Sequence, residues 1–579
     1  MNRRGRVWWF LFAAWLAVSL ASLAAMFQLW WGRERVLYAG KSAPEQRRVV
    51  CARSGIPAQT LELAQQADAA WPAAVAYDKD GPAAPLSYFK YLLLPRMPVG
   101  SYTYVVEENE GAYALVPVAD AAGAHLPFAT VDPTPQGLVL SALVLLAIAA
   151  GFSRFGLGIP EGVACAALGL CAASMAAKPL FHSFAPVGVF LCAWGVAGAG
   201  LAWTGKRAAG PQAAAPAEPA DRMERWMIGA AAGVMCASVI WALLMAVVVV
   251  PDDWDAWAIW GPKAKVLLLG AGPLSDVTHF GHPDYPLLWP AVWAFSGWCA
   301  GGWEEQWSKG CSVLFLALAA WQMGRIAREA TGRKVAGWLV PAFFLSMPAV
   351  PLVASWAYAE APLWLALVCA YGRLLKWWER GSPWDAVWTG VFAGAAALTK
   401  NEGMLFAALV FVGMAGASGA GRWRGVGIYA LVLAALVLPW FVWIKHGAGV
   451  APGASLGVRL PSWDWLAGRM AESAWLVGRM WADVRQWNLV LVGALALTVF
   501  LAVRRGWAFL RLVLIPIGLG AGSLAVIVLR EGALGWQIGT AWNRLTLQFF
   551  VLLLPALAAG MGRSRRGECA CPKGLLEQE

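Results

Sequence analysis

RWMIGAAAGVMCASVIWALLMAVVVV, residues 225–250, runs directly into PDDWDAWAIWGPKAKVLLLG, residues 251–270. The first stretch is apolar over enough length to cross a hydrocarbon core of about 30 Å, and the second opens with Asp252, Asp253 and Asp255. A carboxylate within the core would cost about 2.5–3.5 kcal/mol, so acids at membrane depth default to a functional reading. At an interface much of that cost disappears, and the same acids read equally well as solvated ends of a span. The side of the membrane they face therefore decides what they can do.

The apolar pattern recurs outward in both directions. Of 579 residues, 60% are hydrophobic and 14% charged, against roughly a quarter charged in a soluble chain. Fourteen spans are predicted, at about 8–31, 136–153, 160–178, 183–204, 225–250, 306–324, 335–353, 361–377, 385–399, 404–419, 425–444, 487–503, 507–529 and 546–562. The basic residues gather in short turns such as Lys206-Arg207, Arg325 to Lys334, Arg422 to Arg424, Arg504-Arg505 and Arg563 to Arg566. The net charge of +11 is thus a topology signal that places those turns in the cytosol, not a nucleic-acid footprint. The 37 tryptophans cluster at the ends of apolar runs, as aromatic belts do. The cysteines sit singly and mostly within apolar spans, as small hydrophobes; Cys569 and Cys571 form one C-x-C in the basic tail.

One stretch breaks the pattern. PLLWPAVWAFSGWCAG, 286–301, rises only about 24 Å as a helix and carries Pro286 and Pro290. Counted as a crossing, it would invert every later basic loop. Read as a helix lying in the interface, it restores the positive-inside order, and the acids after residue 250 face the periplasm.

The layout that follows is an N-terminal anchor at 1–31, uncleaved because its apolar run is too long for a signal peptide. An external α+β insert occupies 32–133 and three further spans occupy 134–204. A Pro/Ala-rich cytoplasmic linker at 205–224 precedes a catalytic transmembrane module at 225–445. An external loop at 446–486, C-terminal spans at 487–562 and a cytoplasmic basic tail at 563–579 complete the chain. The fold class is an all-α polytopic membrane protein.

Three polar sets converge on the outer side: the aspartates 252, 253 and 255; Tyr358 and Glu360 in SWAYAEAP; and Lys400, Asn401 and Glu402 in LTKNEG. Trp254, Trp257 and Trp260 recur every three residues, as a membrane belt or as a face for stacking on a sugar. Lys263 and Lys265 read as interface lysines snorkelling their amines. His279 and His282 flank Gly281 but lack a third metal ligand. No Walker loop and no H-E-x-x-H occurs, which argues against nucleotide-driven transport and metalloproteolysis.

The order and sidedness of these motifs, with His282-Pro283-Asp284-Tyr285-Pro286-Leu287, resemble the GT-C superfamily of polyprenyl-phosphate-sugar-dependent glycosyltransferases over about 225–562. The protein-O-mannosyltransferase and aminoarabinose-transferase groups are the nearest. The resemblance implies a GT-C-like bundle, a polyprenyl-phosphate-sugar donor and a glycan, lipid or protein acceptor. It also implies an inverting transfer in which Asp253 or Asp255 is the base; the sequence does not separate the two. Glu360 would orient that base, bind acceptor hydroxyls or ligate a divalent cation, the one cofactor the chemistry leaves open. Lys400, Lys445 and Arg544 are candidates for the donor phosphate. Asp252, Trp257, His282, Tyr285, Tyr358 and Glu402 complete the candidate substrate site, placed at the periplasmic face of a bacterial inner membrane. The alternative is a transporter or flippase of lipid-linked glycans, which would place its polar groups near the bilayer midplane.

Overall fold

The computed structural model describes residues 3–29, most of 35–54, 75–77, 104–109, 112–117, 134–181, 183–204, 221–251, 253–269, 274–417, 422–450, 462–530 and 532–562, with residue 32. Residues 205–220 of the predicted linker, the tail at 563–579 with its C-x-C, and Asp252 lie outside the described residues. The body is helical: α1 (Arg3–Leu29), α2 (Ala43–Ser54), α3 (Gln136–Phe152), α4 (Ile159–Phe181), α5 (Ala185–Thr204), α6 (Arg222–Val248), α7 (Gly261–Leu269), α8 (Leu288–Cys299), α9 (Cys311–Thr331), α10 (Lys334–Leu345), α11 (Ala349–Ser355), α12 (Glu360–Arg380), α13 (Pro383–Ala397), α14 (Asn401–Ala415), α15 (Arg422–Val442), α16 (Trp463–Trp481), α17 (Val490–Arg505), α18 (Trp507–Leu529) and α19 (Asn543–Gly562).

Among the described residues, nine helical segments are long and apolar enough to cross a membrane, and α10 with α11 makes a tenth if that pair, bent by 69°, is one span. The bend falls at Ser346 to Pro348, where proline removes a backbone donor and interrupts the helical ladder. The multi-pass membrane class of the sequence reading holds. The count of fourteen does not follow from length and hydropathy, because four of its members are α12, which is heavily charged, and α13, α14 and α17, which have 15, 15 and 16 residues.

Within 32–133 the structure describes the turn Arg35–Tyr38, α2 and three short strands, β1 (Val75–Tyr77), β2 (Tyr104–Asn109) and β3 (Ala112–Pro117). β1 pairs parallel with β2 in the register Val75 to Tyr104, and β2 antiparallel with β3, Tyr104 opposite Pro117. The rest of the segment lies outside the described residues. α2 is tied to the helical body through Gln46, whose Oε1 accepts from Val250 N at 3.2 Å and Gln306 Nε2 at 2.9 Å, and through Arg47, which pairs with Glu305 at 3.2 Å.

Local sequence explains the helix ends that position the site. Asp221 caps α6 by accepting from Glu224 N at 2.7 Å. α12 ends on Gly381, whose φ of 64° is open to glycine at no steric cost, and Pro383 at the start of α13 has the fixed φ a first helical turn uses. α12 packs against α9, α13 and α19, and α6 against α1, α10 and α11.

The segment expected to lie in the interface is enclosed by protein. α8 is a helix of 12 residues, too short to cross, but it is buried among α3, α4 and α7. Sequence alone does not separate the two surroundings, because a short apolar helix looks the same whether lipid or protein covers it. Lys263 and Lys265 are corrected for the same reason: both amines are buried inside the protein and neither snorkels.

Candidate active site

The chain leaves α6 at Pro251 and winds at once into a π-turn, Ala256–Trp260, with Ala256 N and Trp257 N reaching the Asp253 carbonyl at 3.1 and 3.4 Å. A π-turn widens the backbone and recurs at functional sites. It also undoes the expected tryptophan stripe. Trp257 and Trp260 are fully buried, while Trp254, packed edge-on to Trp257, is 37% exposed. Trp257 is therefore a wall residue and not a stacking face.

α8 pins the two other acidic loops to this turn. Trp289 Nε1 donates to the Ala357 carbonyl at 2.7 Å, and Leu288 N donates to the Leu398 carbonyl at 3.0 Å. Ala357 has a φ of 61°, a left-handed conformation that non-glycine residues adopt at a cost and that clusters at functional sites. It turns Tyr358 so that its hydroxyl donates to Asp253 Oδ1. Glu360 opens α12 and Lys400 precedes α14; the Lys400 ammonium meets Glu360 at 2.8 Å and Glu402 at 3.0 Å. From a second π-turn, Ile538–Trp542, α19 delivers Arg544, whose guanidinium pairs with Asp255 Oδ2, lies 3.6 Å from Glu360 Oε1 and sits 4.7 Å above the Tyr358 ring.

Six of the expected residues, Asp253, Asp255, Tyr358, Glu360, Lys400 and Arg544, thus form one network with Glu402 attached. Burial works against ionisation of Asp255, but Arg544 beside it outweighs burial and holds the carboxyl below the usual range. Burial would also lower Lys400, yet Glu360 and Glu402 outweigh it and keep the amine charged.

His282 and Tyr285 form the adjoining wall. Their rings stack at 4.4 Å, and Tyr285 stacks in turn on Trp260 at 5.4 Å. His282 has a φ of 52° and burial pushes its imidazole down to about 4, so it is neutral at pH 7. Lys263, misread from the sequence, holds this loop by donating to the His282 carbonyl at 2.6 Å and the Tyr285 carbonyl at 3.1 Å; burial brings its amine down to about 7. Sequence reasoning also missed Asp284, which lay within a quoted motif and accepts from Asn401 Nδ2 at 3.0 Å.

Lys445 is not part of the site. It is exposed on the π-turn Trp443–Gly447, and no ion pair joins it to the network among the described residues. Of the His279–His282 pair, the His279 side chain lies outside the described residues. No three His, Cys, Asp or Glu side chains converge as metal ligands among the described residues.

The network is incomplete in a specific way. Glu360 Oε2, Glu402 Oε2, Asp284 Oδ1 and His282 Nδ1 are buried and accept or donate no hydrogen bond among the described residues. An unmet buried polar atom costs about 1–3 kcal/mol, and three of these four are carboxylate oxygens. The arrangement suits a ligand that brings several hydroxyl donors. The chain matches no family model, no curated protein and no solved structure at a significant level.

Proposed function

We propose that this protein is an integral membrane glycosyltransferase that moves a sugar from a polyprenyl-phosphate carrier to a glycan, lipid or protein acceptor at the periplasmic face of a bacterial inner membrane. The observation that carries the reading is the network at one end of the bundle, where Arg544 and Lys400 pair with three carboxylates, Asp253 joins through Tyr358, and buried oxygens wait for donors. The order of the motifs resembles the GT-C superfamily, and the positive-inside order of the basic turns supports the placement, with the 32–133 insert on the same outer side.

The chemistry asks for two things. A phosphate-linked sugar already has a good leaving group, so the protein must hold the phosphate and accept one proton. Arg544 offers a planar guanidinium for the phosphate. Because Asp255 already occupies that guanidinium, its role is to orient Arg544 until the phosphate replaces it. Asp253, bonded to the Tyr358 hydroxyl, is then the base. The acceptor oxygen attacks the anomeric carbon as its proton passes to Asp253. The bond from that carbon to the phosphate oxygen breaks, and its electron pair leaves with the polyprenyl phosphate, inverting the anomeric centre. Glu360 and Glu402, both paired with Lys400, accept sugar hydroxyls.

A transporter fits less well, because these groups sit at helix ends and not midway along them. The test is a deletion strain complemented with wild type or Asp253→Asn. Envelope glycans compared by mass should lose one sugar increment on deletion, regain it with wild type, and fail to regain it with the variant. No glycan change on deletion would overturn the reading.

A further inference from the structure

Three helices that begin or end at the carboxylate network lead to a second polar centre. α12 runs from Glu360 to Arg380, α19 from the Arg544 end to Gly562, and α13 from Pro383 back toward Lys400. At about 1.5 Å per residue, α12 separates its ends by about 30 Å, the thickness of a hydrocarbon core. At the far end lies a cavity of about 1120 Å³.

Five cations line it, Arg154, Arg325, Arg373, Lys376 and Arg380, against two acids, Glu379 and Glu329, the latter shared by Lys376 at 3.2 Å and Arg325 at 3.8 Å, so the lining keeps a positive excess. Arg373 is fixed from behind: Nε meets Glu161 at 2.6 Å, one terminal nitrogen meets Asp385 at 3.3 Å and the other the Gly156 carbonyl at 3.0 Å. Glu161 and Asp385 lower the local sum but do not line the cavity. Arg325 lies over Gly158, where an added Cβ would come within 1.7 Å of its guanidinium and that side chain would have to shift. Phe155 is 68% exposed and Trp384 71% exposed, and both border the same cavity.

We propose that this cavity binds the phosphodiester headgroup of an anionic membrane phospholipid, with the phosphate among Arg325, Lys376 and Arg380. The proposal is independent of what the carboxylate network does. Guanidinium and ammonium groups suit a phosphodiester, and basic pockets between helices at the cytosolic end take anionic headgroups. A free phosphate would satisfy the cations equally. The exposed Phe155 and Trp384 point to a lipid, because acyl chains would cover their apolar surface and a hydrophilic anion would not.

The test uses the full chain, delipidated in mild detergent, and follows its melting temperature and bound lipid by native mass spectrometry. The probes are phosphatidylglycerol, phosphatidylethanolamine with the same acyl chains, and inorganic phosphate. Phosphatidylglycerol is expected to remain bound and raise the melting temperature, while the other two do not. Lys376→Gln with Arg380→Gln should weaken retention at least tenfold. Arg504→Gln with Arg505→Gln, the same charge loss at another basic turn, should leave retention unchanged. Equal stabilisation by inorganic phosphate, equal loss in both double variants, or no retention by wild type would each overturn the proposal.

Discussion

At the Glu360 end of α12, three carboxylates share two cations and several buried oxygens have no partner; at the Arg380 end, the buried carboxylate of Glu161 is saturated. Glu161 accepts from Gly158 N at 2.6 Å and Arg373 at 2.6 Å, with Arg325 at 3.4 Å. The two networks contain similar residues and differ in completeness. A complete buried network orders a fold, whereas an incomplete one stores a deficit that a ligand can meet. The same contrast separates a structural ion pair from a site, which the residue types alone do not do.

The comparison breaks most sharply on the acids themselves. Asp253→Asn keeps the shape of the side chain but removes the proton acceptor, and should lower turnover about 10²–10⁴-fold with the melting temperature held. Glu161→Leu should do the reverse. It leaves Arg373 with Asp385 as its one remaining carboxylate partner and takes a buried acid from Arg325, and removing one partner of a buried pair costs about 3–5 kcal/mol, seen as lost yield and a lower melting temperature. Should Glu161→Leu fold normally while Asp253→Asn unfolds, the contrast between the two ends is wrong.

A smaller effect sharpens the role of Arg544. Arg544→Lys retains the charge but loses the planar fork, and should reduce kcat/KM about 10²-fold. The loss should appear with the lipid-phosphate donor and leave acceptor KM unchanged.

Much of the site was legible. Asp253, Asp255, Tyr358, Glu360, Lys400 and Arg544 stand beside apolar runs, where a charge needs a reason, and loop parity put them on one side. Which carboxylate each cation would choose was not legible, because Arg544 is 289 residues from Asp255. Burial was the other blind spot. Lys263 and Lys265 on an apolar stretch look like snorkelling side chains, and only packing under the His282 loop and beside Glu305 shows them enclosed. The tryptophan spacing assumed a regular helix, and the π-turn changed which rings face out.

The smallest expected effect is on pH. His282 is held down to about 4 by burial, below its unfolded value, so the unfolded chain takes up a proton that the folded one refuses. Stability is therefore lost as pH falls from about 6.5 toward 4. His282→Asn, which tolerates the left-handed backbone there, should flatten that part of the melting-temperature profile. Orientation is checked alongside: in spheroplasts, a membrane-impermeant thiol reagent should label Trp254→Cys above the wild-type background.

The most direct measurement follows release of polyprenyl phosphate from a polyprenyl-phosphate-sugar donor by the purified chain in nanodiscs, with an envelope lipid extract as acceptor. Wild type should release carrier and glycosylate the extract in equal amounts, and the Asp253→Asn, Asp255→Asn double variant should do neither while binding the donor. Equal release by both proteins, or donor left intact by the wild type across the common hexose, pentose and amino-sugar carriers, would contradict the account.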